Sequence, residues 1–266
     1  MSSQTSRVTV KTLLSMKQRG ERISMLTAYD FTMARLLDQA GIDVLLVGDS
    51  LAMVVQGHAT TLPVSLREMM YHGRMVARGA ERALVVVDLP FPHGHLGTHK
   101  TLAVAARIMK QSGCQAVKLE GGAEQAETIA ALVNAGIPVI AHVGLRPQSV
   151  HALGGYRVHR DDQRLHRDAL AAQQAGAFCV LMECVPRETA KRLTAELAIP
   201  TIGIGAGPDC DGQVLVTHDM LGLTVGRVPK FVRQWSHIGS DIRQAASSYH
   251  AAVRDGSFPA PAESFE

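Results

Sequence analysis

The chain has 266 residues, enough for one α/β barrel of about 250 residues and for a sizeable core. Hydrophobic residues make up 46% and charged residues 19%, the balance of a globular protein and not of a disordered one. The formal net charge is only +3, no run of five Lys/Arg occurs and aromatics are few, which excludes a nucleic-acid-binding stripe.

The opening MSSQTSRVTV lacks the long apolar core of a signal peptide, and no apolar segment of the chain approaches the length of a membrane span. Strands are expected at Ile23–Ala28, Val44–Gly48, Ala83–Asp88, Ala116–Glu120, Pro138–Val143, Phe178–Glu183 and Pro200–Gly205, with a weaker eighth around Gln213–Thr217. Helical patterns lie between them. Leu66, Met69, Met70, Gly73, Val76 and Ala77 follow helical spacing behind a Ser65/Glu68 capping box, with Gly79 as the expected stop. Leu102, Ala105, Ala106 and Met109 form a second stripe ending at Gly113. Ile129, Leu132 and Val133 form a third ending at Gly136. Four helix exits read alike: Ala40-Gly41, Ser112-Gly113, Ala135-Gly136 and Ala175-Gly176, each followed by a strand. Repeated strand–helix alternation implies a parallel sheet. Seven or eight units in this length favour a closed (β/α)8 TIM barrel over a doubly wound open sheet.

The reading is of one domain over residues 1–266, with a short polar N-terminal tail. Residues 231–254 read as one or two extra helices before a Pro-rich tail. Cys114, Cys179, Cys184 and Cys210 show no Cys-x-x-Cys spacing, and two of them flank one strand, so reduced thiols and a cytoplasmic setting are expected.

Several apolar runs end on an acid: VLLVGDS on Asp49, LVVVDLP on Asp88, AVKLEGG on Glu120 and CVLMEC on Glu183. In a barrel these ends face the active-site mouth. One such acid reads as a helix cap or a solvated charge, but four together would raise each other's pKa unless a cation holds them. Oxygen-only donors suit Mg²⁺ better than Zn²⁺. Lys118 shares a strand face with Glu120 and either neutralises an anionic substrate or pairs with an acid. His142 ends the fifth strand, as a polar contact near substrate or as a satisfied core histidine. GIGAG at Gly203–Gly207 lacks the dinucleotide fingerprint and reads as a tight βα turn. His93, His95 and His99 sit in a polar loop rather than in a metal cluster.

Several ordered motifs carry a family resemblance. TAYDFTMARLLDQAGIDVLLVGDSLAMVVQGH.TTLPV, VVVDLPF, VKLEGG, H.GL.PQS, GGY.V, LMECVP and IPTIGIGAG...DGQVLV.HDMLG resemble the 3-methyl-2-oxobutanoate (ketopantoate) hydroxymethyltransferase family from about Lys11 to Lys230. The resemblance implies a barrel with bound Mg²⁺, a typically decameric homo-oligomer and a step of pantothenate biosynthesis. Its activity is transfer of a hydroxymethyl unit from 5,10-methylenetetrahydrofolate to 3-methyl-2-oxobutanoate through a metal-stabilised enolate. It implies Asp49 and Asp88 as metal ligands, with Glu120 as a third metal-site acid, direct or through water. The resemblance also implies Asp49, Ser50, Asp88 and Lys118 as the residues around the keto acid, and Glu183 as the proton acceptor. Other readings are a catalytically weak keto-acid-binding paralogue and another Mg²⁺-enolate barrel enzyme, such as a lyase. The chain departs from the family at PHGHLG after DLPF and at His159-Arg160-Asp161 after GGY.V, where relatives have a small residue with tyrosine and Gln-Gly-Arg. Both departures lie in loops at the active-site end, nearer folate contacts than metal chemistry.

Overall fold

The computed structural model describes residues 6–155 and 160–265. It divides into two compact units, Met1–Leu215 and Val216–Glu266.

The first unit is a closed, all-parallel barrel in sequential order. Its strands are β1 (Ile23–Thr27), β2 (Val44–Val47), β3 (Leu84–Asp88), β4 (Ala116–Glu120), β5 (Val139–Gly144), β6 (Cys179–Glu183), β7 (Thr201–Ile204) and β8 (Gly212–Leu215). β8 pairs with β1 to close the ring. Around it run α1 (Val10–Arg19), α2 (Phe31–Gln39), α3 (Leu51–Val54), α4 (Leu66–Gly79), α5 (Thr98–Ser112), α6 (Ala126–Asn134), α7 (Val150–Leu153), α8 (Asp162–Gln174) and α9 (Arg187–Glu196).

The barrel interior is filled by side chains two residues apart: Ile23 and Met25, Val44 and Leu46, Leu84 and Val86, Ile140, Cys179 and Leu181, Ile202 and Val214. Leu45, Val47, Val85 and Val87 take the opposite parity and are also buried. β2 and β3 are therefore buried on both faces, which is why their sequences are unbroken apolar runs.

The expected strands recur within a residue or two. The Ser65/Glu68 capping box opens α4, with the Ser65 amide donating to Glu68 Oε2 at 2.7 Å. Gly41, Gly113, Gly136 and Gly176 take positive φ after their helices. Gly79 does not. It is the last residue of α4, followed by an extended Ala80. A Cβ at Gly79 would stand 2.7 Å from the Phe31 carbonyl oxygen and 2.8 Å from Ala34 Cβ, so glycine there lets α4 lie against α2. The GIGAG segment is likewise corrected. It leaves β7 through Gly205 and Gly207, both with positive φ, and reaches β8 with no helix between.

The second unit holds α10 (Thr217–Met220) and one longer helix, α11 (Ile238–Asp255), where one or two were expected over 231–254. Within it, the Trp235 amide donates to the Met220 carbonyl at 2.9 Å, and Tyr249 meets Phe258 edge-on at 5.5 Å.

Candidate active site

The inward columns of β3 to β6 change chemistry at their carboxyl ends. Asp88 follows Val86 on β3, Lys118 follows Ala116 on β4, His142 follows Ile140 on β5 and Glu183 follows Leu181 on β6. Asp49 lies two residues beyond β2, and Glu120 ends β4. Strand pairing sets Asp88 beside Lys118 and Glu120 beside His142. Asp49, Asp88, Lys118, Glu120 and His142 are buried, while the Glu183 side chain keeps 17% exposure.

Lys118 Nζ lies 3.2 Å from Asp88 Oδ1 and 3.2 Å from His142 Nδ1. Asp88 Oδ2 accepts the Asp49 amide at 3.0 Å. An ammonium can only donate, so His142 Nδ1 accepts and its ring proton sits on Nε2. Nε2 is 3.2 Å from Glu183 Oε2 but is not aligned for a hydrogen bond. His142 Nδ1 is also 3.8 Å from Glu120 Oε1. The half-buried Ser50 bonds through Oγ to the Tyr29 hydroxyl at 2.8 Å.

Gln148 and Tyr29 join the site without having been singled out as site residues. Gln148 occupies the one-turn 3-10 helix Pro147–Ser149 after β5. Its Nε2 donates to Asp49 Oδ2 at 2.9 Å and to the Leu89 carbonyl at 3.0 Å, and its backbone amide donates to Glu120 Oε2 at 3.2 Å. The sequence signal for Gln148 was the PQS of H.GL.PQS; that for Tyr29 was its place just past β1.

Negative charge exceeds positive charge here. Burial pushes Asp88 up to about 7 against the pull of Lys118, with the Asp49 charge adding to the rise. Burial also raises Asp49 and, with Asp49 adding, holds Glu120 well above the carboxylate range. Burial brings Glu183 up to about 7 against Lys118. For Lys118 burial works against the charge, yet Asp88 and Asp49 hold its pKa above the ordinary value. Burial, followed by the Lys118 charge, keeps His142 well below its usual range, so the ring is neutral.

Asp88 Oδ1 is buried and, among the described residues, has Lys118 Nζ at 3.2 Å as its close partner, without a hydrogen bond of good geometry. A carboxylate oxygen with unused acceptor capacity within an excess of buried acid suits a hard divalent cation. Among the described residues, no three His, Cys, Asp or Glu side chains gather into a protein-only metal cage. The donor set is thus of the kind that holds Mg²⁺ by one or two carboxylates and leaves other positions to substrate and water.

Among the other sequence candidates, His93 and His95 form a single 3-10 turn, and His95 Nδ1 pairs with Gln125 Nε2 at 2.9 Å. All four cysteines are free. Of the two departing loops, His159 lies outside the described residues, and Asp161 caps α8 by accepting the Arg164 amide at 3.0 Å. No helix among the described residues is long and apolar enough to cross a membrane.

A closed parallel barrel with buried carboxylates, a lysine and a neutral histidine at the strand carboxyl ends defines an α/β-barrel enzyme with its chemistry at the mouth. A family model described as ketopantoate hydroxymethyltransferase matches residues 7–261. The chain belongs to that family and is a hydroxymethyltransferase. It is 60% identical to the 3-methyl-2-oxobutanoate hydroxymethyltransferase of Rhodopirellula baltica, over 98% of this chain and 97% of that one. It is 54% identical to the enzyme of the same name from Desulforapulum autotrophicum, over 96% and 97%. Among solved structures, phosphonopyruvate hydrolase in complex with oxalate and Mg²⁺ has a TM-score of 0.63 at 16% identity, covering 96% of this chain and 92% of that chain. For 2,3-dimethylmalate lyase, of the PEP mutase/isocitrate lyase superfamily, the TM-score is 0.62 at 19% identity, covering 95% and 91%. These two share the fold alone.

Proposed function

We propose that the chain transfers a hydroxymethyl unit from 5,10-methylenetetrahydrofolate to 3-methyl-2-oxobutanoate, forming 2-dehydropantoate for pantothenate synthesis in the cytoplasm. The observation that carries this reading is the division of labour at the mouth. Asp49 and Asp88 supply an excess of buried carboxylate on one side. Glu183 stands beyond Lys118 and His142, brought up to about 7 by burial.

A Mg²⁺ held by Asp49 and Asp88, with Glu120 acting through water, would supply Lewis acidity toward the carbonyl of the keto acid. Lys118 and the Ser50 hydroxyl would bind the anionic end of that substrate. Glu183 would remove the C3 proton, and a carboxylate near neutral pKa suits this work better than an ordinary one. Its action leaves C3 free to bond to the methylene carbon of the folate; over the whole transfer that carbon's two bonds to folate nitrogen break, water supplies the hydroxyl oxygen and tetrahydrofolate leaves. His142, neutral and with its proton on Nε2, would sit beside Glu183 at 3.2 Å.

The 60% identity to a namesake transferase supports transfer over the lyase and paralogue readings. The test is formation of 2-dehydropantoate from 3-methyl-2-oxobutanoate, 5,10-methylenetetrahydrofolate and Mg²⁺. Absence of product with all three present would leave the paralogue. A homodecamer is part of the same reading, and light scattering of the purified chain tests it.

A further inference from the structure

Gln148 touches two acids and one backbone carbonyl, at or just past the ends of three strands, from a position after a fourth. It follows β5, yet its amide bonds Asp49 beyond β2 and the Leu89 carbonyl beyond β3, while its backbone N–H bonds Glu120 on β4. The side chain is buried. Both partners of Nε2 are pure acceptors, a carboxylate and a carbonyl, so the NH₂ end must occupy this position and both its hydrogens are used. The bond is of the stronger kind when Asp49 is ionised.

We propose that Gln148 is a positioning residue for the divalent cation. It fixes the Asp49 carboxylate through Oδ2, and the tie to Leu89 fixes that anchor relative to Asp88. This rests on the proposed function, since the cation is Mg²⁺ and the site is the one described. Two carboxylates from separate strands make a competent half-site only if their rotamers agree. Asp88 is set by the Asp49 amide at 3.0 Å, whereas Asp49 takes its setting from Gln148. Partners of this kind, one bond behind a metal ligand, are worth about 10–100-fold in metal affinity.

The test is calorimetric titration of MgCl₂ into the metal-free full chain, with 3-methyl-2-oxobutanoate present, for wild type, Gln148→Met and Gln148→Asn. Met keeps the length and removes both donors. Asn keeps the amide but is one methylene too short to span both acceptors. The Mg²⁺ Kd of Gln148→Met is expected to rise about 10–100-fold, with Gln148→Asn between it and wild type. In turnover, the Mg²⁺ requirement rises by more than kcat falls. A merely structural glutamine would lower the unfolding temperature and leave the Mg²⁺ Kd of the folded variants within twofold of wild type, and that result overturns the proposal. If Gln148→Met does not fold, Gln148→Asn decides by the same criterion. Wild type that takes up no Mg²⁺ overturns the metal reading of the site as a whole, whereas unchanged affinity in the variants overturns the role of Gln148 alone.

Discussion

Replacing Glu183 by Gln separates an enzyme from a scaffold. Glutamine keeps the shape and the 3.2 Å approach to His142 Nε2 that Glu183 Oε2 makes. It cannot take a proton. Burial has lifted the carboxyl from 4.5 to about 7, so near neutrality about half of the molecules carry the base form, and that form is far stronger than an ordinary carboxylate. General-base catalysis is worth about 10²–10⁴-fold, or roughly 3–5 kcal/mol of barrier lowering at about 1.4 kcal/mol per tenfold. The assay is exchange of the C3 proton of 3-methyl-2-oxobutanoate in D₂O with Mg²⁺ and no folate, followed by NMR. Exchange by wild type should rise with pH and level off above about 7, as Glu183 loses its proton. Glu183→Gln should retain keto-acid binding and lose exchange by two to four orders of magnitude. Wild-type exchange in Glu183→Gln would refute the assignment and turn attention to His142. The folate-free readout also keeps the departing PHGHLG loop out of the measurement.

Asp49→Ala and Asp88→Asn should each abolish Mg²⁺-dependent keto-acid binding while leaving the fold intact; calorimetric heats equal to wild type in both would remove them from the metal site. In metal-free protein, Asp49, Asp88 and Glu120 have folded-state pKa values above their unfolded ones, so the folded chain keeps protons that the unfolded chain releases. The resulting stability is present at low pH; for Asp88 it is lost as pH rises from about 4 toward about 7, at about 1.4 kcal/mol per pH unit for that proton, and Asp49 and Glu120 act in the same direction. The unfolding midpoint in EDTA should therefore be lower at pH 7.5 than at pH 5.5, with Mg²⁺ narrowing the gap; equal midpoints in EDTA would contradict the charge excess. Gly79→Ala should destabilise by about 1–3 kcal/mol, because a Cβ would stand 2.7 Å from the Phe31 carbonyl. A gain in stability, as expected for an unhindered helical position, would show that α2 yields.

Five charged residues are legible in the sequence alone because each interrupts or ends an apolar run: Asp49, Asp88, Lys118, Glu120 and Glu183. Burial on both faces makes such an interruption conspicuous, and a period of two tells which side it faces. β8 is faint because Gly212 and Gln213 are poor strand formers, and its place is set by pairing with β1 and β7. Gly79 misleads because a helix-ending glycine and a close-approach glycine look the same in a sequence. The bare crossing from β7 to β8 escapes notice because the glycines of GIGAG announce a turn but not the element beyond it. Gln148 acts on Asp49 across 99 positions of chain, and no local pattern encodes such a reach. His142 can be placed at the mouth, but its neutrality and tautomer depend on Lys118, a partner one strand away.

The inward columns of β3 to β6 go from hydrocarbon to charge in a single step of two residues. Beneath Asp88, Lys118, His142 and Glu183 lies a floor of Val86, Ala116, Ile140 and Leu181, all sealed from solvent. A floor of hydrocarbon offers the charges above it no solvation from below, and burial is accordingly the first cause of the raised pKa at both Asp88 and Glu183.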